Sequence, residues 1–320
     1  MPALLLSESD VAALADDVPA LAAALRAGYV AYSTSGAARS RRVPAVLPAP
    51  GSAMVMLPGL LPGVPAYSVK VHAKYPTERP AIRGVLLLHD LATGALLSVM
   101  ASSHLTAVRT GLAAALASDA LARPDAREVA VIGAGLQGGF QLRYLSRLRA
   151  LGGVRVHDVD PARAEALCRA LAPELGLSMR VLPLAAALDG AEIVLAATWA
   201  RAPFIGPDAV APGTHVTTLG SDEPGKLELS PDLLRAATVV VDDRALVMEM
   251  GAVGNAGLPA TAIAAELGEV LAGRHPGRRD EREITVFASV GLPFQDLAVA
   301  WVVYGRATAL GAGEVFEFGR

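Results

Sequence analysis

The chain has 320 residues, enough for two domains, and its 53% apolar content with only 4% aromatics suits an α/β protein packed through small residues. A formal net charge of −3 excludes a composition-driven nucleic-acid binder, because Arg39-Ser-Arg41-Arg42 and Arg278-Arg279 are too short to form a basic track. The single cysteine, Cys168, excludes an intramolecular disulfide and a cysteine metal cluster, while Glu8, Asp10, Asp16 and Asp17 break the apolar N-terminus, so a cytoplasmic protein without signal peptide or membrane span is expected.

Ser7-Glu-Ser-Asp10 supplies capping chemistry ahead of a first alanine/leucine helix, and a second helix is expected over residues 19–33. Residues 42–47, 53–57, 66–72, 83–89 and 96–100 read as strands. Pro58-Gly59, Pro62-Gly63 and Thr93-Gly94 punctuate them, which predicts a mostly antiparallel sheet. A small-residue helix over residues 106–123 ends before Pro124, where a domain boundary is expected. Strand and helix patterns then alternate, with strand candidates at 128–132, 154–158, 179–182, 192–198, 215–220, 238–242 and 284–290. That alternation signals a doubly wound parallel sheet. Gly291-Leu-Pro-Phe-Gln-Asp296 leads into an alanine-rich helix to about Leu310 that returns to the first domain. The fold class is therefore α/β: a Rossmann domain over 124–296 and a smaller, split α+β domain from 1–123 and 297–320.

The most informative stretch is Gly133-Ala-Gly135-Leu-Gln-Gly138, which follows an apolar strand and opens a helix. The first glycine permits the tight turn, the second lets backbone approach a pyrophosphate, and the third packs helix on strand. Asp158 ends the next strand about 20 residues beyond, where a carboxylate accepts hydrogen bonds from the adenosine ribose. A carboxylate there favours NAD and leaves NADP as the alternative.

Three cations stand in unusual settings. Lys70 lies inside Tyr67-Ser-Val-Lys-Val, Arg109 on the apolar helix Leu105-Thr-Ala-Val-Arg, and Arg42 at the start of a strand. A buried cation needs an anion. The spacing is compatible with three separate ion pairs or with one convergent site for a substrate carboxylate. No metal motif appears, since His72, His89 and His104 lie on separate segments and read as scattered core or surface histidines.

Taken together, the residues resemble the ornithine cyclodeaminase/mu-crystallin family. The resemblance rests on Val69-Lys70, Thr93-Gly-Ala-Leu-Leu-Ser-Val-Met100, Leu105-Thr-Ala-Val-Arg-Thr110 and Gly133-Ala-Gly-Leu-Gln137. It extends to Leu219-Gly-Ser-Asp222-Glu-Pro-Gly-Lys226-Leu-Glu228-Leu, to Ile284-Thr-Val-Phe-Ala-Ser-Val-Gly291, and to Asp296 beyond it. It implies a substrate-binding and dimerisation domain beside an NAD-binding domain, and a homodimer. Arg42, Lys70 and Arg109 would bind the substrate α-carboxylate, with Arg42 preferred to Arg41 by its spacing to Met56-Leu57-Pro58. Asp222 would be the catalytic carboxylate, with Lys70 beside it in the catalytic set. Gly133, Gly135, Leu136, Gln137, Gly138, Asp158 and Thr198 would hold the cofactor, with Lys226 and Ser289 near its nicotinamide half. On ordinary grounds, Asp222 is a turn residue, Lys226 and Glu228 a solvated pair, and Asp296 a helix cap.

The implied activity is hydride transfer at the α-carbon of an amino or imino acid, as in cyclic ketimine and pyrroline-2-carboxylate reductases or alanine dehydrogenases. Ornithine cyclodeamination with recycled NAD is one alternative, and a non-catalytic, crystallin-like NAD(P) binder is another. Ornithine cyclodeaminases tend to carry a glutamate just before the Met-Pro element, whereas Ala53-Met-Val-Met-Leu57 is wholly apolar. Pro76-Thr77-Glu78 and Ala101-Ser102 also depart from the usual pattern on the substrate side.

Overall fold

The computed structural model describes residues 2–35, 39, 42–48, 52–75 and 82–318. The chain divides into two units, Met1–Arg109 with Leu292–Arg320, and Thr110–Gly291.

In the first unit, β1 (Pro2–Leu6), α1 (Glu8–Leu14) and α2 (Val18–Thr34) precede five strands: β2 (Val43–Val46), β3 (Ala53–Gly59), β4 (Ala66–Lys74), β5 (Ile82–Asp90) and β6 (Leu96–Ala101). Helix α3 (Ser102–Leu121) follows without a loop. Helix α1 begins in a reciprocal cap: Ser7 Oγ accepts from Asp10 N, and the Asp10 carboxylate accepts from Ser7 N. At α2 the Asp17 carboxylate accepts from Ala20 N and Pro19 stands in the first turn.

The second unit alternates as expected: β7 (Val129–Ile132), α4 (Leu136–Leu148), β8 (Gly153–His157), α5 (Pro161–Leu175), β9 (Ser178–Val181), α6 (Leu184–Leu188) and β10 (Ile193–Ala196). It continues with β11 (His215–Thr218), α7 (Pro231–Ala236), β12 (Thr238–Val241), α8 (Arg244–Met250), α9 (Ala252–Asn255), β13 (Ile263–Glu266), α10 (Leu267–Leu271) and β14 (Thr285–Ala288). Among the described residues its sheet has the order β13-β12-β14-β11-β10-β7-β8-β9, parallel throughout. Strands β7, β10, β11 and β14 are buried at every position, as strands covered on both faces must be. The order reverses between β7 and β10, which opens a crevice at their carboxyl ends.

The chain then returns to the first unit as α11 (Pro293–Leu310) and β15 (Glu314–Glu317). Helix α11 packs on α2, β3 and β4. Gly28 makes room for the Phe294 ring, which a Cβ there would approach to 2.8 Å. The completed sheet has the order β15-β1-β6-β5-β4-β3-β2 among the described residues.

Three strands depart from the sequence expectation. Strands β1 and β15 pair with each other, and β1 runs parallel to β6. These partners are remote in sequence, so local alternation does not reveal them. Strand β13 is a short Ile-Ala-Ala-Glu run whose only sheet neighbour among the described residues is β12. The division falls inside α3, between Arg109 and Thr110, and again between Gly291 and Leu292. Physically, α3 is one unbroken helix with two sets of partners. Its first turns bond to β4, β5 and α11 through Thr106, Ser103 and Arg109, whereas Ser118 bonds Thr217 and Leu121 O accepts from Arg278.

Candidate active site

The register of the first sheet aligns Leu57, Lys70, Leu86 and Met100 across β3, β4, β5 and β6 on one face. Val43 pairs with Met56, so Arg42, one residue earlier, lies level with Leu57 in the same row. Helix α11 lays its first turn on this face and supplies the counter-ion. Asp296 Oδ1 accepts from Lys70 Nζ at 2.8 Å and from Arg109 Nε at 3.0 Å, with the Lys70 and Asp296 side chains 0% and 1% exposed. Lys70 Nζ also lies 3.2 Å from Thr106 Oγ1. Arg109 Nη1 donates to Gln295 Oε1 at 2.8 Å, and Gln295 Nε2 donates to the Tyr29 hydroxyl. The ring of Phe294, 5.1 Å from those of both Tyr29 and Tyr32, fixes the helix start above α2.

The electrostatics follow from one carboxylate among three cations. Burial lowers the Lys70 amine to about 8, and Arg109 and Arg42 add to this against the pull of Asp296. Burial alone would raise the Asp296 carboxyl, but Arg109 and Lys70 outweigh it and hold it below its ordinary range. Asp296 Oδ2 is buried and has no hydrogen-bond partner among the described residues. The cluster brings Lys70, Arg109 and Arg42 within electrostatic reach of one another, beside the Asp296 carboxylate.

In the second unit, Gly133 takes φ +98° in the turn after β7, and a Cβ there would lie 2.5 Å from Ala197 O. A Cβ on Gly138 would meet Gly133 O at 2.2 Å, so the turn and α4 can pack only without side chains. Gly135 caps α4 and has nothing within 4 Å of its own Cβ position, leaving open space at the helix N-terminus. Leu136 is exposed beside it, and Gln137 Oε1 is buried without a partner among the described residues. Asp158 accepts from Ala134 N at 2.8 Å and from Asp160 N at 2.9 Å, which holds the glycine turn against the end of β8. A close-packed glycine turn, open space at a helix N-terminus and an acid at the next strand end fit a dinucleotide pyrophosphate and ribose.

Glu228 is a residue whose position the sequence did not reveal. It is buried, and its carboxylate accepts from Thr198 N at 2.6 Å, Thr218 Oγ1 at 2.6 Å and Gly220 N at 2.9 Å, tying the ends of β10 and β11 together. Burial raises its pKa, although those donors pull it back. It is not the solvated partner of Lys226. Lys226 Nζ instead bonds Asp222 Oδ1 at 2.9 Å, lies 3.5 Å from Glu223, and sits 4.4 Å from the Trp199 ring centroid. Ser289 Oγ donates to Asp242 Oδ2 at 2.8 Å, and the same oxygen accepts from Val290 N and Gly291 N. Thr198, Asp222 and Ser289 thus follow the carboxyl ends of β10, β11 and β14.

The structure therefore gathers Arg42, Lys70 and Arg109 in the first unit, and the glycine turn, Asp158, Thr198, Asp222, Lys226 and Ser289 along one edge of the second. Asp296 is the added member of the first group. The one signal in the sequence is that buried cations require an anion, and Asp296 is the one acid of α11. Pro76-Thr77-Glu78 lies outside the described residues, as do Ser40 and Arg41. Among the described residues no group of three or more His, Cys, Asp or Glu is placed to hold a metal, and no helix is long and apolar enough to cross a membrane.

The family model described as the ornithine cyclodeaminase/mu-crystallin family matches residues 3–311. The alanine dehydrogenase of Archaeoglobus fulgidus is 35% identical over 245 residues, covering 75% of this chain and 76% of its own. A solved archaeal alanine dehydrogenase dimer with bound NAD is 30% identical and superposes with a TM-score of 0.94 over 100% of both chains. The Δ1-pyrroline-2-carboxylate reductase of Thermococcus litoralis, solved with NADH and L-proline, is 29% identical with a TM-score of 0.91, covering 97% of this chain and 99% of that one.

Proposed function

Because the chain belongs to the ornithine cyclodeaminase/mu-crystallin family, we propose that it is an NAD-dependent oxidoreductase acting at the α-carbon of an amino or imino acid. The observation that carries this reading is the cradle in the first unit, where Lys70 and Arg109 share the buried carboxylate of Asp296 and Arg42 lies within electrostatic reach of Lys70. A substrate α-carboxylate is the anion this set of cations would receive, and the arginine forks suit its two oxygens. Asp296 holds Lys70 and Arg109 in place for it. The glycine turn and α4 receive the dinucleotide pyrophosphate, and Asp158 meets the ribose. Asp222, tethered by Lys226, exchanges the proton of the substrate nitrogen. When bound, NAD supplies the hydride acceptor or, reduced, the donor. Fixed geometry contributes much of the acceleration, and general acid–base help adds about 10²–10⁴-fold.

Cyclodeamination of a diamino acid is less well supported. Val55 faces the same side of the sheet as Lys70, and the carboxylate of Asp296 is already shared by two cations. A distal ammonium left there without an anion would cost several kcal/mol. We also propose a homodimer through the opposite face of the first sheet. Its row Val43, Met56, Val71, Val85 is apolar, and Val43, Met56 and Val85 are exposed.

The deciding experiment follows nicotinamide absorbance in both directions, with pyrroline-2-carboxylate, piperideine-2-carboxylate and pyruvate plus ammonia for reduction, and proline and alanine for oxidation. Turnover that is lost in Arg109→Ala and Asp222→Ala supports the reading. Proline and ammonia formed from ornithine without net NADH change would establish the cyclodeaminase instead. Cofactor binding with no turnover of any substrate would favour a binding protein.

A further inference from the structure

Between β11 and α7, Glu223-Pro-Gly-Lys226 forms a β-turn. Pro224 takes its second position, Gly225 its third at φ +77°, and Lys226 N donates to Glu223 O at 3.2 Å. The turn brings Lys226 back to Asp222: Nζ lies 2.9 Å from Asp222 Oδ1, 3.5 Å from Glu223 Oε1 and 4.4 Å from the Trp199 ring centroid. The Lys226 side chain is 6% exposed and that of Asp222 is 43% exposed. The lysine is the enclosed partner, and Asp222 is the one presented to solvent. A turn closed on itself by a single hydrogen bond fluctuates unless other groups hold it.

The hold comes from Asn255, the last residue of α9. Its Oδ1 accepts from Gly225 N at 3.2 Å, and its Nδ2 donates to Lys226 O at 2.8 Å and Glu223 O at 2.9 Å. One side-chain amide thus bonds the backbone of three of the turn's four residues. The placement of its nitrogen and oxygen is forced, since a carbonyl can only accept and a backbone N–H only donate. Within α8 and α9 that amide reaches only Met250 O among the described residues, at 3.3 Å, so helix capping does not account for it. Two glycines bring Asn255 into place. A Cβ on Gly254 would lie 1.9 Å from Met248 O, and one on Gly251 2.4 Å from Val247 Cγ2, so α9 folds against α8 only where side chains are absent.

We propose that Asn255 is a positioning residue: its amide grips the 223–226 turn, keeps Lys226 against Asp222, and so fixes where that carboxylate stands. The inference rests on the reading of Asp222 as the group that exchanges the proton of the substrate nitrogen. Proton transfer needs its partners within hydrogen-bond reach. A carboxylate that wanders by about 1 Å therefore costs rate, while cofactor and substrate are held by other residues.

The test follows NADH oxidation by the full chain with pyrroline-2-carboxylate and with pyruvate plus ammonium, in wild type, Asn255→Ala, Asp222→Asn and the double variant. In Asn255→Ala, kcat is expected to fall by about ten- to a hundredfold, with KM for NADH and for substrate changed by no more than about twofold. In the Asp222→Asn background the same substitution should lower kcat no further, because the two changes remove one function. Asn255→Ser, too short to span the turn, serves where Asn255→Ala does not fold and should show the same split. Losses that multiply in the double variant, or a kcat retained by a folded Asn255 variant, overturn the inference and leave the proposed function standing. Full kcat in Asp222→Asn removes the role given to Asp222, and the inference with it. A second readout needs no turnover. In Trp301→Phe, Trp199 is the one tryptophan of the chain, and acrylamide quenching of its emission should rise when Asn255→Ala frees Lys226 from the ring. Unchanged quenching overturns the inference. Absence of NADH oxidation with both substrates in the wild type counts against the proposed function itself, and the quenching then decides whether Asn255 holds Lys226.

Discussion

At Asp296 one carboxylate oxygen serves two buried cations. Removing its charge strands Lys70 and Arg109 in a dry site, and breaking a buried pair from one side costs about 3–5 kcal/mol. Asp296→Asn is therefore expected to lower unfolding free energy by roughly that amount and to raise KM for a carboxylate substrate more than it lowers kcat. Denaturant melts and initial rates measure the two effects. Lys70 gives a second prediction. Its amine loses its proton at about 8, so KM should rise as pH passes that value, and Lys70→Arg should abolish the inflection. Stability responds in the opposite sense. The unfolded lysine keeps its proton to about 10.4, so between the two values the unfolded chain binds more protons, and this group makes the fold more stable as pH rises. The three cations were legible because each interrupts an apolar pattern. Asp296 was not, because an acid in the first turn of a helix is equally well explained by the helix dipole. Burial of that turn breaks the tie, and burial is set by α2 and β3, far away in sequence.

Glu228 acts at the scale of elements. It ties the ends of β10 and β11, which bound one side of the dinucleotide crevice, through two backbone amides and a threonine hydroxyl. An amide in its place keeps one acceptor oxygen for three donors, at a cost of about 1–3 kcal/mol. Glu228→Gln is expected to weaken NADH binding, read as a raised Kd by nicotinamide fluorescence. An unchanged Kd would confine the residue to stability. The buried parallel strands themselves were legible as short apolar runs bounded by turns. Their role in joining loops was not, because Lys226 and Glu228 are two residues apart and read as neighbours in solvent. The strand-to-turn geometry sends one to Asp222 and the other into the sheet edge. Strands β1, β13 and β15 stayed hidden for a related reason: each is short, and what makes it a strand is a remote partner.

For the whole molecule, acid sensitivity follows from buried rings. His215 is enclosed between Thr285 and Thr217, and burial, with Arg278 and Arg149, lowers its pKa to about 3. An unfolded histidine titrates at about 6.5, so below that value the unfolded chain takes up protons that the fold refuses. Stability should fall as pH drops from about 6.5 towards 3, with His72 adding the same sign over a narrower range. Melting temperature against pH measures this, and His215→Gln should flatten the slope. The split first unit has a consequence for synthesis. A nascent chain grows from its N-terminus, so residues 110–291 are complete while the first unit still lacks α11 and β15. During that interval Lys70 and Arg109 have no Asp296, and the inner face of β3 and β4 has no helix over it. A chain ended at Gly291 should therefore yield a protease-resistant core over 110–291 and lose residues 2–109 to digestion, as mass spectrometry would read. On the ribosome, the dinucleotide-type crevice forms early, and the anion cradle waits for one carboxylate near the far end of the chain.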